Sequence, residues 1–176
     1  NLPEEKRQRL LECAIDEFAA NDFASASVSQ IVAHAGIAKG SLYQYFADKG
    51  DLYAYLLELV AEKKAALMRE IGLAEVDSSV FEKMRRLVQV MTLFELHYPK
   101  LARIGNRVAS GKSPLPEEVL HKARQSTSQY FMGLIEEGQQ RGEIRRDVDV
   151  GLAAYILTST LVGMGSYLMD RAGLIP

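Results

Sequence analysis

The chain has 176 residues, 48% of them hydrophobic and 25% charged, enough mass for one sizeable domain or two small ones with their own core, which excludes collagen-like and disordered classes. Cys13 is the single cysteine, so an internal disulfide and a cysteine-rich zinc site are excluded, as fits a reducing cytoplasm. The net charge of −2 excludes a protein that coats nucleic acid by bulk positive charge; any contact with DNA has to be local and fitted in shape.

Apolar residues recur at helical spacing along nearly the whole chain, with no sustained alternation of the kind a half-buried strand needs, so the expected fold is all-α. Residues 1–9 are charged and lack an apolar run, and no retained signal peptide is expected. A first helix is expected from about Pro3 to Asn21, with Leu10, Leu11, Ala14, Ile15 and Phe18 on its apolar stripe. Ser27 followed by Gln30 is a capping box that opens a short second helix through Val28, Ile31, Val32 and Ala35, stopped at Gly36. The run Lys39 to Phe46 has room for a third helix of two turns, and Asp48 is a natural N-cap for a long fourth one reaching Ile71. Two short helices joined by a glycine turn make a helix-turn-helix pattern.

A fifth helix is expected from about Asp77 to Tyr98, and Pro99 starts a shorter, more basic sixth. Gly111 to Pro116 reads as a loop, followed by a seventh helix to about Arg141 and an eighth from Asp147 to about Ala172. Val150 to Met169 carries no charge over 20 residues, long enough to cross a bilayer if taken alone. Thr158, Ser159, Thr160 and Ser166 with Gly151, Gly163 and Gly165 keep it only moderately hydrophobic, and no second such stretch exists to pack with it. No membrane partner is expected. A helix apolar on every side is instead buried on every side, against its own domain on one face and a partner subunit on the other.

The segment from Ser27 to Leu52 closely resembles the DNA-binding signature of tetracycline-repressor-like (TetR/AcrR) regulators. It holds an Ile31-Ala33-Gly36-Ile37 framework and a Leu42-Tyr43-x-Tyr45-Phe46 recognition helix, then Lys49 and Leu52, at the family's spacing without gaps. The resemblance implies a three-helix helix-turn-helix head, here residues 1–47, and a C-terminal helical effector and dimerisation bundle, here residues 48–176. It further implies a cytoplasmic, ligand-responsive repressor: a homodimer on a palindromic operator of double-stranded DNA, released by a small-molecule effector. The alternative is a helical adaptor whose head no longer binds DNA.

The residues support the DNA reading separately. Leu42 and Phe46, four apart, anchor the third helix to its neighbour, which leaves Lys39, Gly40, Ser41, Tyr43, Gln44 and Tyr45 on the other side for a major groove. Gln44 is the best base reader, because a glutamine amide can pair with adenine through two hydrogen bonds. Tyr43, Tyr45 and Lys49 suit phosphates, a role the resemblance also implies, and Gly40 would allow close backbone approach. Charge is thin: residues 27–50 hold two lysines and one aspartate, so the hydroxyls of Ser27 and Ser29 are expected to supplement the cations. Lys6, Arg7 and Arg9 sit among Glu4, Glu5 and Glu12 and read as solvated charges.

In the second part, Met91, Phe94, Tyr98, Thr127, Phe131 and Tyr155 combine apolar bulk with hydroxyls, which suits a ligand cavity and equally a filled core. The resemblance implies a cavity there. Tyr130, Leu134, Leu161, Gly163 and Tyr167 are the candidate dimer contacts, with Gly163 and Ser159 permitting close helix approach. Glu95 and His97, with His121, do not predict a metal site, since Glu-x-His on a helix puts the two side chains on different faces. No catalytic triad or glycine-rich phosphate loop stands at diagnostic spacing, so neither an enzyme nor a cofactor is expected.

Overall fold

Capping chemistry sets several of the helix ends. The computed structural model of the protein describes residues 4–72, 78–109 and 117–171, and among these there are eight helices and no strand. They are α1 (Glu4–Ala20), α2 (Val28–Ala35), α3 (Lys39–Leu42), α4 (Lys49–Glu70), α5 (Val80–His97), α6 (Pro99–Ala109), α7 (Glu117–Gln140) and α8 (Val150–Arg171). The expected loop from Gly111 to Pro116 lies outside the described residues.

Ser27 caps α2 by accepting from the Gln30 N–H, and Gly36 closes the helix with φ of 68°, a left-handed turn that costs glycine nothing. Asp48 and Asp51 cap α4 reciprocally: Asp48 Oδ1 accepts from the Asp51 N–H at 2.9 Å, and Asp51 Oδ2 accepts from the Ala47 N–H at 2.9 Å. Ser79 and Asp149 do the same work for α5 and α8, accepting from the N–H groups of Glu82 and Leu152. The third helix is shorter than its sequence suggests. It is α-helical only to Leu42; the Leu42 carbonyl then accepts from both Tyr45 and Phe46, so residues 43–45 continue as turns.

By packing, the chain divides into two compact units, residues 1–61 with 100–115, and residues 62–99 with 116–176. This differs from a single cut at residue 47, because α6 belongs with the N-terminal helices. In the first unit α1 packs on α2 and α2 on α3, with Leu10, Phe18, Ile31, Leu42, Leu52 and Leu56 almost wholly buried. There α6 is fastened to α1. The Arg107 guanidinium donates to the carbonyls of Phe18 and Asn21 at 2.6 Å and of Ala19 at 3.1 Å, which satisfies acceptors that α1 leaves open at its C-terminal end. Lys100 pairs with Asp16 at 2.5 Å.

In the second unit α7 packs along α8 and α5 touches both, around Val80, Leu87, Phe131, Leu134, Ile135 and Ala154. The turn after α7 is tight. A Cβ on Gly138 would stand 2.7 Å from Ile144 Cδ1, so only glycine lets that isoleucine fold back onto the helix. Lys83 of α5 donates to both carboxylate oxygens of Glu137 on α7 at 2.7 Å, and this holds the Glu137 carboxyl below its usual range. Among the described residues, no helix is long and apolar enough to cross a membrane.

Candidate nucleic-acid interface

The segment from Lys39 to Phe46 projects as the leucine–phenylalanine spacing requires. Leu42 is fully buried and Phe46 half-buried, the latter edge-on to Tyr55 with ring centroids 5.6 Å apart. Lys39, Gly40, Tyr43, Gln44 and Tyr45 are exposed, whereas Ser41 is half-buried. A Cβ on Gly40 would meet nothing within 4 Å, so the protein's own packing does not call for glycine there. Two large aromatic side chains, Tyr43 at 47% and Tyr45 at 37% exposure, thus stand on a water-facing surface beside an amide and an ammonium. Such a combination suits a partner with phosphates and base edges better than bulk water.

The hydroxyls expected to help are partly engaged. Ser29 Oγ accepts from Lys39 Nζ at 3.4 Å, which draws the lysine to the start of α2 and gathers charge and hydroxyl in one place. Ser27 is the α2 cap, and its own N–H donates to Glu17 Oε1 at 2.8 Å. Arg7 donates to Glu4 at 3.2 Å and to the Tyr55 hydroxyl at 3.0 Å. Arg7 and Tyr55, with Leu10, Leu11, Tyr45 and Phe46, line a crevice of about 210 Å³.

Lys49 stands apart from the other expected contacts. Its Nζ donates to the carbonyls of Phe23, Ala24 and Ala26 at 2.6, 3.3 and 3.0 Å and lies 4.5 Å from the centroid of the Phe23 ring. Phe23 in turn stacks with Phe18 and meets Tyr53 edge-on. Sequence spacing gives no direct warning of this, but one physical sign exists: Lys49 opens α4, the end of a helix where a cation is unfavourable unless something offsets it.

The expected effector residues differ in burial. Phe94 is buried and in contact with half-buried Tyr98, Phe131 belongs to the core of the second unit, Met91 is half-buried, and Thr127 and Tyr155 are exposed. Two lysines of α4 that the sequence did not single out lie on the aromatic pair: Lys64 Nζ is 4.9 Å from the Phe94 ring centre and Lys63 Nζ 5.7 Å from that of Tyr98. Burial pushes the Lys64 ammonium below its ordinary pKa, with Glu95 opposing the shift. Glu95 is buried and His97 exposed, on different faces of α5; the side chain of His121 lies outside the described residues.

The expected dimer contacts divide similarly. Leu134 is buried in its own protomer's core and Leu161 packs partly against it. Tyr130, Gly163 and Tyr167 are exposed, and with Leu152 at 59%, Tyr155 at 70% and Ile156 at 53% exposure they leave an outward apolar stripe along α8 and the adjoining part of α7.

Comparison with known proteins agrees with this geometry. Residues 10–56 match the family of bacterial regulatory proteins termed the tetR family, and residues 77–166 match the tetracyclin repressor-like C-terminal domain. The fatty acid metabolism regulator protein of Bacillus subtilis (strain 168) is 26% identical over 162 residues, which is 89% of this chain and 79% of that protein. Among solved structures, a TetR family transcriptional regulator from Chloroflexus aurantiacus J-10-fl superposes with a TM-score of 0.83 at 40% identity, over 97% of this chain and 78% of that one. A gamma-butyrolactone receptor, an ArpA-like protein, gives 0.75 at 27% identity, over 96% and 87%.

Proposed function

The chain belongs to the tetR family of bacterial regulatory proteins, and from that premise we propose that it is a homodimeric, cytoplasmic repressor that leaves a palindromic operator when a small molecule enters its second unit. The observation that carries the reading is the exposed Lys39, Gly40, Tyr43, Gln44 and Tyr45 surface opposite the buried Leu42. In this reading residues 1–47 form the DNA-binding head and residues 48–176 the ligand-binding and dimerisation body. Ser27, Ser29, Lys39, Ser41, Tyr43 and Tyr45 hold phosphates and set the register, while Gln44 reads a base edge. A two-fold dimer through α7 and α8 spaces the two heads, so the operator half-sites lie about one helical turn apart or a small multiple of it. The effector is an apolar or amphipathic compound lodged near Phe94 and Tyr98, where Lys63 and Lys64 supply cations.

Selection of bound duplexes from a random pool is the first test, and recovery of a palindrome is the expected result. Fatty-acid derivatives and gamma-butyrolactones, chosen after the relatives' names, are then titrated against the complex. Release of the duplex should be reciprocal, the operator weakening effector binding by the same factor, typically about 5- to 150-fold. A pool that yields no enriched sequence overturns the reading.

The Gln44→Ala variant is expected to lose discrimination at one base pair per half-site, by about 1–3 kcal/mol, with its affinity for random duplex nearly unchanged. Repeating the selection with the variant measures this. Equal loss on every sequence would remove Gln44 as a base reader.

A further inference from the structure

The geometry points to Lys49 as a positioning residue for the DNA interface, a staple that fixes the entry into α2, in place of a phosphate contact of its own. An ammonium has three N–H donors, and Lys49 meets three carbonyl acceptors, those of Phe23, Ala24 and Ala26. No donor remains for a phosphate unless one of these bonds is given up. The three carbonyls belong to the short connection between α1 and α2 and converge on one point; without a cation there they would face one another with their negative ends. The Phe23 ring, 4.5 Å away, closes the other side.

The same connection is held at its start by Glu17, whose Oε1 accepts from Ser27 N–H at 2.8 Å and from Asn21 Nδ2 at 3.2 Å. Lys49 and Glu17 therefore grip residues 21–27 from two sides, one taking the carbonyls and the other the N–H groups. Held in this way is the first turn of α2, which carries Ser27 and Ser29, and through the Ser29–Lys39 bond the start of α3 as well. The arrangement also accounts for a cation at the first residue of α4, since the carbonyls offset the unfavourable helix-end field.

This inference rests on the reading that the head binds DNA, and the test separates the two. Operator affinity is measured against salt concentration for the full chain and for Lys49→Met and Lys49→Arg, with helical content checked by circular dichroism. A phosphate contact predicts that Lys49→Met lowers the salt slope by about 0.9 for each head bound, twice that on the full operator, and that Lys49→Arg, which keeps the charge and binds phosphate well, retains the affinity. The staple predicts a loss of about tenfold or more on all sequences for Lys49→Met with the slope unchanged. It also predicts no full rescue by arginine, whose donors are spread over a planar fork and do not radiate from a single nitrogen as those of the ammonium do.

Coupling supplies the readout that a general loss of stability would not move. Ser29→Ala should cost affinity in the otherwise unaltered protein and little in the Lys49→Met background, because the serine is then already misplaced. A reduced slope, full rescue by arginine, or additive costs with Ser29→Ala would each overturn the assignment while leaving DNA binding intact. Failure of the unaltered protein to select any duplex would overturn both.

Discussion

Ile156→Glu is expected to convert the protein to monomers and to abolish tight binding to a two-half-site operator. Ile156 is 53% exposed, beside Leu152 and Tyr155 on α8 and clear of the Phe131 and Ile135 core. The charge therefore costs the isolated protomer little. In a two-fold seam the same substitution occurs twice, and an uncompensated buried carboxylate is worth about 3–5 kcal/mol, a hundredfold or more in the dissociation constant. Light scattering at micromolar concentration reads the mass, and a gel shift on one and two half-sites reads the consequence. Circular dichroism should remain that of the folded protein. Leu161→Glu is a poorer probe, because Leu161 packs partly against the protomer's own core and would disturb folding as well as pairing. A dimeric Ile156→Glu protein would place the seam elsewhere.

Leu42→Ala is expected to have the second large effect. Four residues make an α3 far too short to persist alone, so its direction depends on the fully buried Leu42 anchored beside α2. Truncation removes that anchor and leaves a cavity, at a cost of about 2–5 kcal/mol. The loss concerns the first unit, and operator affinity should fall by more than its stability, because a loosened α3 no longer presents Tyr43, Gln44 and Tyr45 together. Tyr43→Ala is the contrast: being exposed, it should change stability by no more than about 0.5 kcal/mol and still weaken DNA binding. Denaturant unfolding and operator titration of both variants separate anchor from contact. Equal affinity for the Leu42→Ala and unaltered proteins would show that α3 holds its place without the leucine.

What the sequence made legible is local. Ser27, Gly36 and Asp48 act within four residues of themselves, the four-residue spacing of Leu42 and Phe46 sets which side of their segment turns inward, and each does in the structure what its chemistry suggests. Only the length of α3 departs, since double acceptance by the Leu42 carbonyl ends the helix sooner than the apolar spacing implies. The cations were not legible. Lys49 reaches residues 23 to 26 positions away and Arg107 reaches residues 86 to 89 positions away, and no periodicity connects such partners. The burial of Leu134 and the exposure of Tyr155 have a related reason: apolar spacing on α7 and α8 does not say which face of each helix meets the protomer's own core, and the fold places Leu134 inside and Tyr155 outside.

The fastening of α6 to α1 has a consequence for anyone exchanging parts between relatives. Arg107 covers the open carbonyls of α1, and Leu101, Ala102 and Ile104 are buried alongside it, so residues 100–109 belong to the first unit although the whole of residues 62–99 separates them from the rest of it. A chimera spliced at residue 47 or 61 takes the reading head without its clasp. It inherits three uncovered carbonyls at the end of α1 and a foreign α6 that need not offer an arginine in the same register. The transplantable module is discontinuous, and a graft that moves α6 together with α1–α4 keeps the specificity of the donor on a scaffold that still closes.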